Sequence, residues 1–204
     1  MLIAFTGGPC GGKTTCIDLL KKDLLKQGVR VVVIPEVASL LAATGLHPAV
    51  ECRASPERRY NYHQMMFDMQ LQLEDFALRS LNLGGDTPCV ILCDRGAMDL
   101  KSYSNTFDKL LRGRTEAQVL QRYGAVLHLQ STAVDKPEAY NLTTNIHRHE
   151  SQETAAWRDT DLKRAWESHP QRMIIGNEGD MEGKYAEVLQ QIQTLLRPPL
   201  EVDL

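Results

Sequence analysis

The sequence predicts an α/β domain with a five-stranded parallel sheet and helices on both faces. Two observations carry that expectation. Short apolar runs alternate with stretches of helical spacing along the chain. The runs are apolar at consecutive positions, as strands buried on both faces require. In addition, a glycine-rich loop joins the first run to the first helical stretch.

Leu2–Thr6 is the first strand. Lys13–Gln27 follows as a helix with Cys16, Leu19, Leu20 and Leu24 on one face, and Gly28 ends it as a C-cap. Val29–Ile34 is β-branched and reads as a buried second strand; Pro35 stops it and Glu36 opens a short helix. Ser55-Pro56-Glu57 starts a long helix with a capping Ser, an early Pro and an acidic first turn. Its expected buried stripe is Tyr62, Met65, Met66, Met69, Leu73, Phe76 and Ala77, ending near Leu81. Gly84-Gly85-Asp86 makes a turn. Pro88–Cys93, Ala125–Leu129 and Arg172–Ile175 are the remaining strands, with a helical stretch over Thr115–Tyr123 and a closing helix over Tyr185–Leu196. Ser131–Glu153 is polar and aperiodic. A connection of that length in a compact domain is expected to be a functional lid, here taken as residues 131–158 of a single domain spanning 1–204.

Composition narrows the function classes. The chain has 204 residues, 43% of them hydrophobic, which is enough for a sizeable core. The net charge of −3 and the interspersed signs argue against general nucleic-acid binding. No apolar run approaches the roughly 20 residues needed to span a bilayer, and no leader is expected before the first strand. Five cysteines without paired CxxC spacing argue against a disulfide framework or a zinc site. Cys89 and Cys93 read as small core residues. A cytoplasmic protein is expected.

"GGPCGGKT", residues 7–14, satisfies the phosphate-loop pattern GxxxxGK[ST]. Glycines let successive backbone N–H groups turn towards an anion, and the helix starting at Lys13 adds its positive end. The expected nucleotide contacts are Gly8, Cys10, Gly11, Gly12, Lys13, Thr14 and Thr15. Lys13 reaches β- and γ-phosphate oxygens, and the Thr14 hydroxyl binds Mg²⁺. Cys10 is most simply a tolerated small residue. "VILCDRG" ends a strand in Asp94, the expected second holder of Mg²⁺. Arg95 either touches substrate or phosphate, or forms a salt bridge across the crevice.

Glu36 ends the second strand at the carboxyl edge of the sheet, where ligands bind in open α/β folds. It is a candidate base or ligand for a substrate hydroxyl; the plainer reading is a carboxylate at a helix N-terminus. Arg148 and Arg158 lie in and after the expected lid, and Arg148 is the better candidate to meet the transferred phosphoryl. Asn177, after the fifth strand, suits a base-contacting loop. Gln64, Gln70 and Gln72 include a candidate base-reading amide, although a polar helix face accounts for them more simply. A guanine-reading Asn-Lys-x-Asp sequence does not occur, and no Glu follows Asp94 to polarise water as in hexameric motors.

"GGPCGGKTT", "VIPEVA", "CDRGAMDLKSY", "AYNLTTNIHRHESQETA" and "WESHP" together resemble the AAA-type phosphate-loop family, over Leu2 to about Leu196. That family includes the nicotinamide-riboside kinase domain of a bifunctional bacterial NAD regulator and the nucleotide-binding half of TRPL translocation defect proteins. Fold relatives include deoxynucleoside and thymidylate kinases, which place an acid after the second strand and an Asp/Glu-Arg after the third. Glu36, Asp94, Arg95 and Arg148 match such positions. The resemblance implies a phosphate-loop NTPase fold binding ATP, with GTP as the alternative, and Mg²⁺. It implies a small-molecule kinase acting on a nucleoside or other metabolite. The TRPL proteins carry a further C-terminal phosphate-binding domain, so nearness to that branch implies a GTP- or ATP-binding regulatory module or a slow NTPase instead.

Overall fold

The computed structural model describes residues 1–81, 87–135 and 151–196. The turn expected at Gly84-Gly85-Asp86 lies outside the described residues, as do Arg148 and positions 136–150 of the expected lid.

Five parallel strands form one sheet: β1 (Leu2–Thr6), β2 (Arg30–Ile34), β3 (Cys89–Asp94), β4 (Ala125–Leu129) and β5 (Arg172–Ile175). Their order is β2-β3-β1-β4-β5. The three inner strands are apolar at successive positions because each face packs on helices. Leu2 and Ala4 of β1, Ile91 and Cys93 of β3, and Val126 of β4 turn one way. Ile3, Phe5, Val90, Leu92, Leu127 and Leu129 turn the other.

The second face is covered by α1 (Lys13–Lys26) and α9 (Met181–Leu196), through Cys16, Ile17, Leu20, Leu24, Val188 and Ile192. The first face is covered by α4 (Pro56–Ser80), a 3-10 helix over Ala97–Ser102, α5 (Phe107–Leu110), α6 (Glu116–Leu120) and the end of α8 (Gln152–Ala165). Trp166, fully buried, meets Tyr123 edge-on at 4.9 Å between ring centres. The short helices α2 (Val37–Ala43) and α3 (Pro48–Ala54) lean on α4, and α7 (Thr132–Asp135) follows β4. Side-chain caps start three helices: Ser55 accepts from the Arg58 N–H, Ser151 from that of Thr154, and Thr115 forms a capping box with Gln118.

Three expectations are corrected. β2 is an edge strand and only half-buried apart from Ile34, and Ile174 on the opposite edge is exposed. Cys89 is half-buried at the entrance to β3, whereas Cys93 is buried as expected. On α4, Phe76 is 74% and Met65 37% exposed, while Phe67, Leu71 and the polar Gln70 and Glu74 are buried. The helix buries two faces: Phe67 and Leu71 towards the sheet, and Tyr62, Met66, Met69 and Leu73 towards α2 and α3. No described helix is long and apolar enough to cross a membrane.

Candidate nucleotide and acceptor site

A parallel sheet brings all its strand ends to one edge. The register pairs Phe5 with Asp94, Thr6 with His128, and Leu129 with Ile175. The loop after β1, Asp94, Ser131 and Asn177 therefore gather at the carboxyl ends of the strands, where open α/β sheets bind ligands.

The loop between β1 and α1 turns sharply, with φ of 124° at Gly7, 58° at Cys10 and 83° at Gly12. Gly12 is the N-cap of α1 in the left-handed region, which only glycine adopts without strain. Gly11 backs onto the Leu129 carbonyl, 2.5 Å from where a Cβ would stand. The start of α1 has no side-chain cap and no acidic residue in its first turn. The other three long helices are closed by Ser55, Ser151 and Asp180. The first intrahelical bond of α1 is Cys16 N–H to the Gly12 carbonyl. The amides of Lys13, Thr14 and Thr15 therefore lack helical partners and present the positive helix end to an anion.

Lys13 is buried and donates to the Gly7 and Gly8 carbonyls at 2.9 and 2.8 Å. Burial, and then Arg95, push its ammonium down to about 8, against the pull of Asp94, Glu36 and Asp99. The Thr14 hydroxyl donates to Asp94 Oδ2 at 2.6 Å. Two hard oxygen donors thus stand side by side at the mouth of the loop and fit Mg²⁺. No group of three or more His, Cys, Asp or Glu among the described residues could hold a metal alone. Mg²⁺ commonly takes one or two protein oxygens and shares the rest of its shell with phosphates and water.

Beside the loop lies a narrow cleft lined by Glu36, Val37, Met66, Gln70, Arg95 and Tyr103, among others. Arg95, itself at φ 80°, ties it to the loop. Its Nε donates to Glu36 Oε1 at 2.7 Å, and its Nη1 to Asp99 Oδ2 at 3.0 Å and to the Gly7 carbonyl at 3.5 Å. Of the two roles open for Arg95, the salt bridge across the crevice is the one formed here. Glu36 is also held by the Ser39 hydroxyl at 2.7 Å. Burial pushes its carboxyl up, but Arg95, Ser39 and Lys13 outweigh it and hold it at about 2.

Two expected nucleotide contacts are used otherwise. The Gly8 N–H donates to Asp159 Oδ1 at 2.7 Å, so it anchors the loop and is not offered to a phosphate. Both amide hydrogens of Asn177 are committed, to the Ser131 carbonyl and Asp135 Oδ1, and its oxygen accepts from Lys184. That side chain ties the loop after β5 to the end of β4 and offers no hydrogen to a base. Arg158 lies 4.2 Å over the Tyr103 ring and donates to the Ser102 carbonyl.

Sequence reasoning missed Asp99 and Asp159 and undervalued Gln70. Asp99 receives Thr6 Oγ1 at 2.7 Å, Trp166 Nε1 at 2.6 Å and Arg95. The i, i+4 spacing of Arg95 and Asp99 in "RGAMD" is the one signal that points to it. Gln70 donates to Glu74 at 2.9 Å and to the Arg95 carbonyl at 3.3 Å from the cleft wall.

Fold and loop together define a phosphate-loop nucleotide-binding protein. The chain belongs to the AAA domain family, whose model matches residues 2–184. No curated protein matches it.

Proposed function

We propose that the protein is a Mg²⁺-dependent small-molecule kinase that moves the γ-phosphoryl group of ATP, or of GTP, onto a hydroxyl of an acceptor seated in the Glu36 cleft. The observation that carries this reading is the Glu36–Arg95 ion pair. It joins the cleft directly to the first residue of the phosphate loop. Asp94 is followed by Arg95 rather than by a carboxylate that would polarise water, which favours transfer over hydrolysis.

In this reading the free amides at the start of α1 and the Lys13 ammonium hold the triphosphate. Thr14 and Asp94 hold Mg²⁺, which offsets phosphate charge when bound. Glu36, ionised and fixed by Arg95 and Ser39, accepts a hydrogen bond from the acceptor hydroxyl and aims its oxygen. Held at about 2, it is a poor proton sink, so its work is orientation more than early proton removal. Such a role suits a loose transition state that needs little base assistance. Arg95 places positive charge beside the path of the phosphoryl group, and Arg148 is proposed to add a second charge from the lid. A cytoplasmic setting is part of this proposal.

A second reading is a nucleotide-binding regulatory module. One observation favours it: both Glu36 oxygens already hold internal partners. Transfer of label from γ-labelled ATP and GTP to a panel of nucleosides, ribosides and pantothenate-like alcohols separates the two. A labelled acceptor supports the kinase. No labelled acceptor across the panel, with slow release of inorganic phosphate, moves the assignment to the module.

A further inference from the structure

We infer that Asp159 is a positioning residue for the phosphate loop: its carboxylate fixes where the first half of the loop stands relative to β4, and so how tightly the loop grips terminal phosphates. The inference rests on the nucleotide-binding reading of that loop. Asp159 Oδ1 accepts two backbone N–H groups, Gly8 at 2.7 Å and Ser131 at 2.9 Å. Oδ2 lies 3.1 Å from His128 Nε2 on β4. The Ser131 hydroxyl donates in turn to the Pro9 carbonyl. Residues 8 and 9 of the loop are thus held through both an amide and a carbonyl to one cluster.

The cluster is closed to solvent: Asp159 is 1% exposed and His128 is fully buried. No side chain fits between loop and clamp, because a Cβ on Gly8 would stand 2.9 Å from the Ser131 Cβ and 3.0 Å from Asp159 Oδ1. A buried carboxylate beside an anion-binding loop works against the phosphates by Coulomb's law and is costly to desolvate. The gain that offsets this is the pair of amides it pins and its bond to His128. Burial pushes its carboxyl up, yet His128 and the two amides hold it below the usual range, so it stays ionised. The element that carries it is itself fixed. The Arg158 guanidinium lies against Tyr103 and the Ser102 carbonyl, and Trp166, just past the end of α8, bonds Asp99. Asp159 therefore ties the loop to a firm support.

Three variants separate position from charge. Asp159→Asn keeps an Oδ1 acceptor for both amides. Asp159→Glu keeps the charge but moves the oxygens by one methylene. Asp159→Ala removes the acceptor. Calorimetric titration with ATP and with inorganic tripolyphosphate, at equal Mg²⁺, reads the loop directly. The Asn variant should bind both within about threefold of wild type, and the Glu and Ala variants about tenfold more weakly or worse. A merely structural aspartate would lower the melting temperature and leave the affinity of the folded protein alone. Folded Glu and Ala variants that bind as wild type overturn the inference, and so does an Asn variant as weak as Ala. If Glu and Ala fail to fold, amide exchange in the wild type decides. A Gly8 N–H protected from solvent exchange, together with the Asn result, supports the clamp; an unprotected Gly8 overturns it. Wild-type protein that binds neither ATP nor tripolyphosphate overturns the nucleotide reading itself, which a protected Gly8 would survive.

Discussion

At Lys13 a cation is buried among backbone carbonyls, and this makes its charge depend on pH. Its ammonium titrates at about 8 in place of the ordinary 10.5. Since the folded value is lowered, this group lowers stability below about pH 8, and the penalty fades as pH rises from there towards 10.5. Triphosphate binding runs the other way, because the phosphates need the charged form and restore it. Affinity should fall roughly tenfold per pH unit above about 8. Calorimetry at pH 9 in buffers of different ionisation heat should register proton uptake on binding. Constant affinity between pH 7 and 9.5 would remove Lys13 from the phosphate site. Asp94→Asn tests the neighbouring pair. The shape and the Thr14 contact survive, but the charge that favours Mg²⁺ is gone. ATP should still bind, while the Mg²⁺ concentration needed for half-maximal turnover rises; an unchanged Mg²⁺ titration would make Asp94 structural. Both residues were legible in the sequence because their partners are local or fixed by the motif. Asp99 and Asp159 were not. A buried aspartate has the same letter as an exposed one, and the groups that justify burial here, Trp166 and Gly8, lie 67 and 151 positions away.

Among the elements, the inner strands and the loop-to-helix junction were readable because burial on both faces imposes continuous apolar runs. The edge strands β2 and β5 carry similar runs with much less burial, since the local sequence does not say where in the sheet a strand will lie. Helix α4 was harder still. A search for one apolar stripe selected Met65 and Phe76, yet the face on the sheet includes Gln70 and Glu74. Those polar groups are tolerated because Gln70 bonds Glu74, which also receives Tyr123 and Arg122. The end of α4 was predictable in detail, and it offers a clean test. Ser55 accepts the Arg58 N–H at 3.0 Å and is exposed, so its loss creates no cavity. Ser55→Ala should cost about 1 kcal/mol, a fall of roughly 2–4 °C in melting temperature for a protein of this size. Calorimetric scanning should show it with ATP affinity unchanged; a larger loss would mean that α3 and α4 depend on one another through that turn.

On the scale of the whole molecule, the sheet order sets the chemistry. With β3 between β1 and β2, the end of β2 and the phosphate loop stand on either side of Asp94 and Arg95. The Glu36 cleft and the phosphate loop are therefore joined through Arg95, and ligands at the two places should sense one another. ATP at about 100 times its dissociation constant should stabilise the fold by roughly 2.7 kcal/mol. A true acceptor, added with a non-transferable ATP analogue, should raise the melting temperature further. Glu36→Gln then distinguishes the two functions. The substitution removes the negative charge but keeps a hydrogen-bond acceptor, so ATP should shift the melting temperature nearly as before. In a kinase, turnover should drop roughly 10²–10⁴-fold, towards the lower end for a group that orients more than it deprotonates. Because the Glu36 carboxyl is held at about 2, it is ionised at any working pH, and its own stabilising contribution is lost only as pH falls from about 4.5 through about 2. The wild-type rate should therefore show no acid limb between pH 5 and 7 that vanishes in Glu36→Gln; such a limb would mean that Glu36 titrates as a base during turnover. In a regulatory module, Glu36→Gln should leave the slow hydrolysis rate where it was. An unchanged rate together with no acceptor-dependent stabilisation would transfer the cleft from catalysis to the docking of a partner.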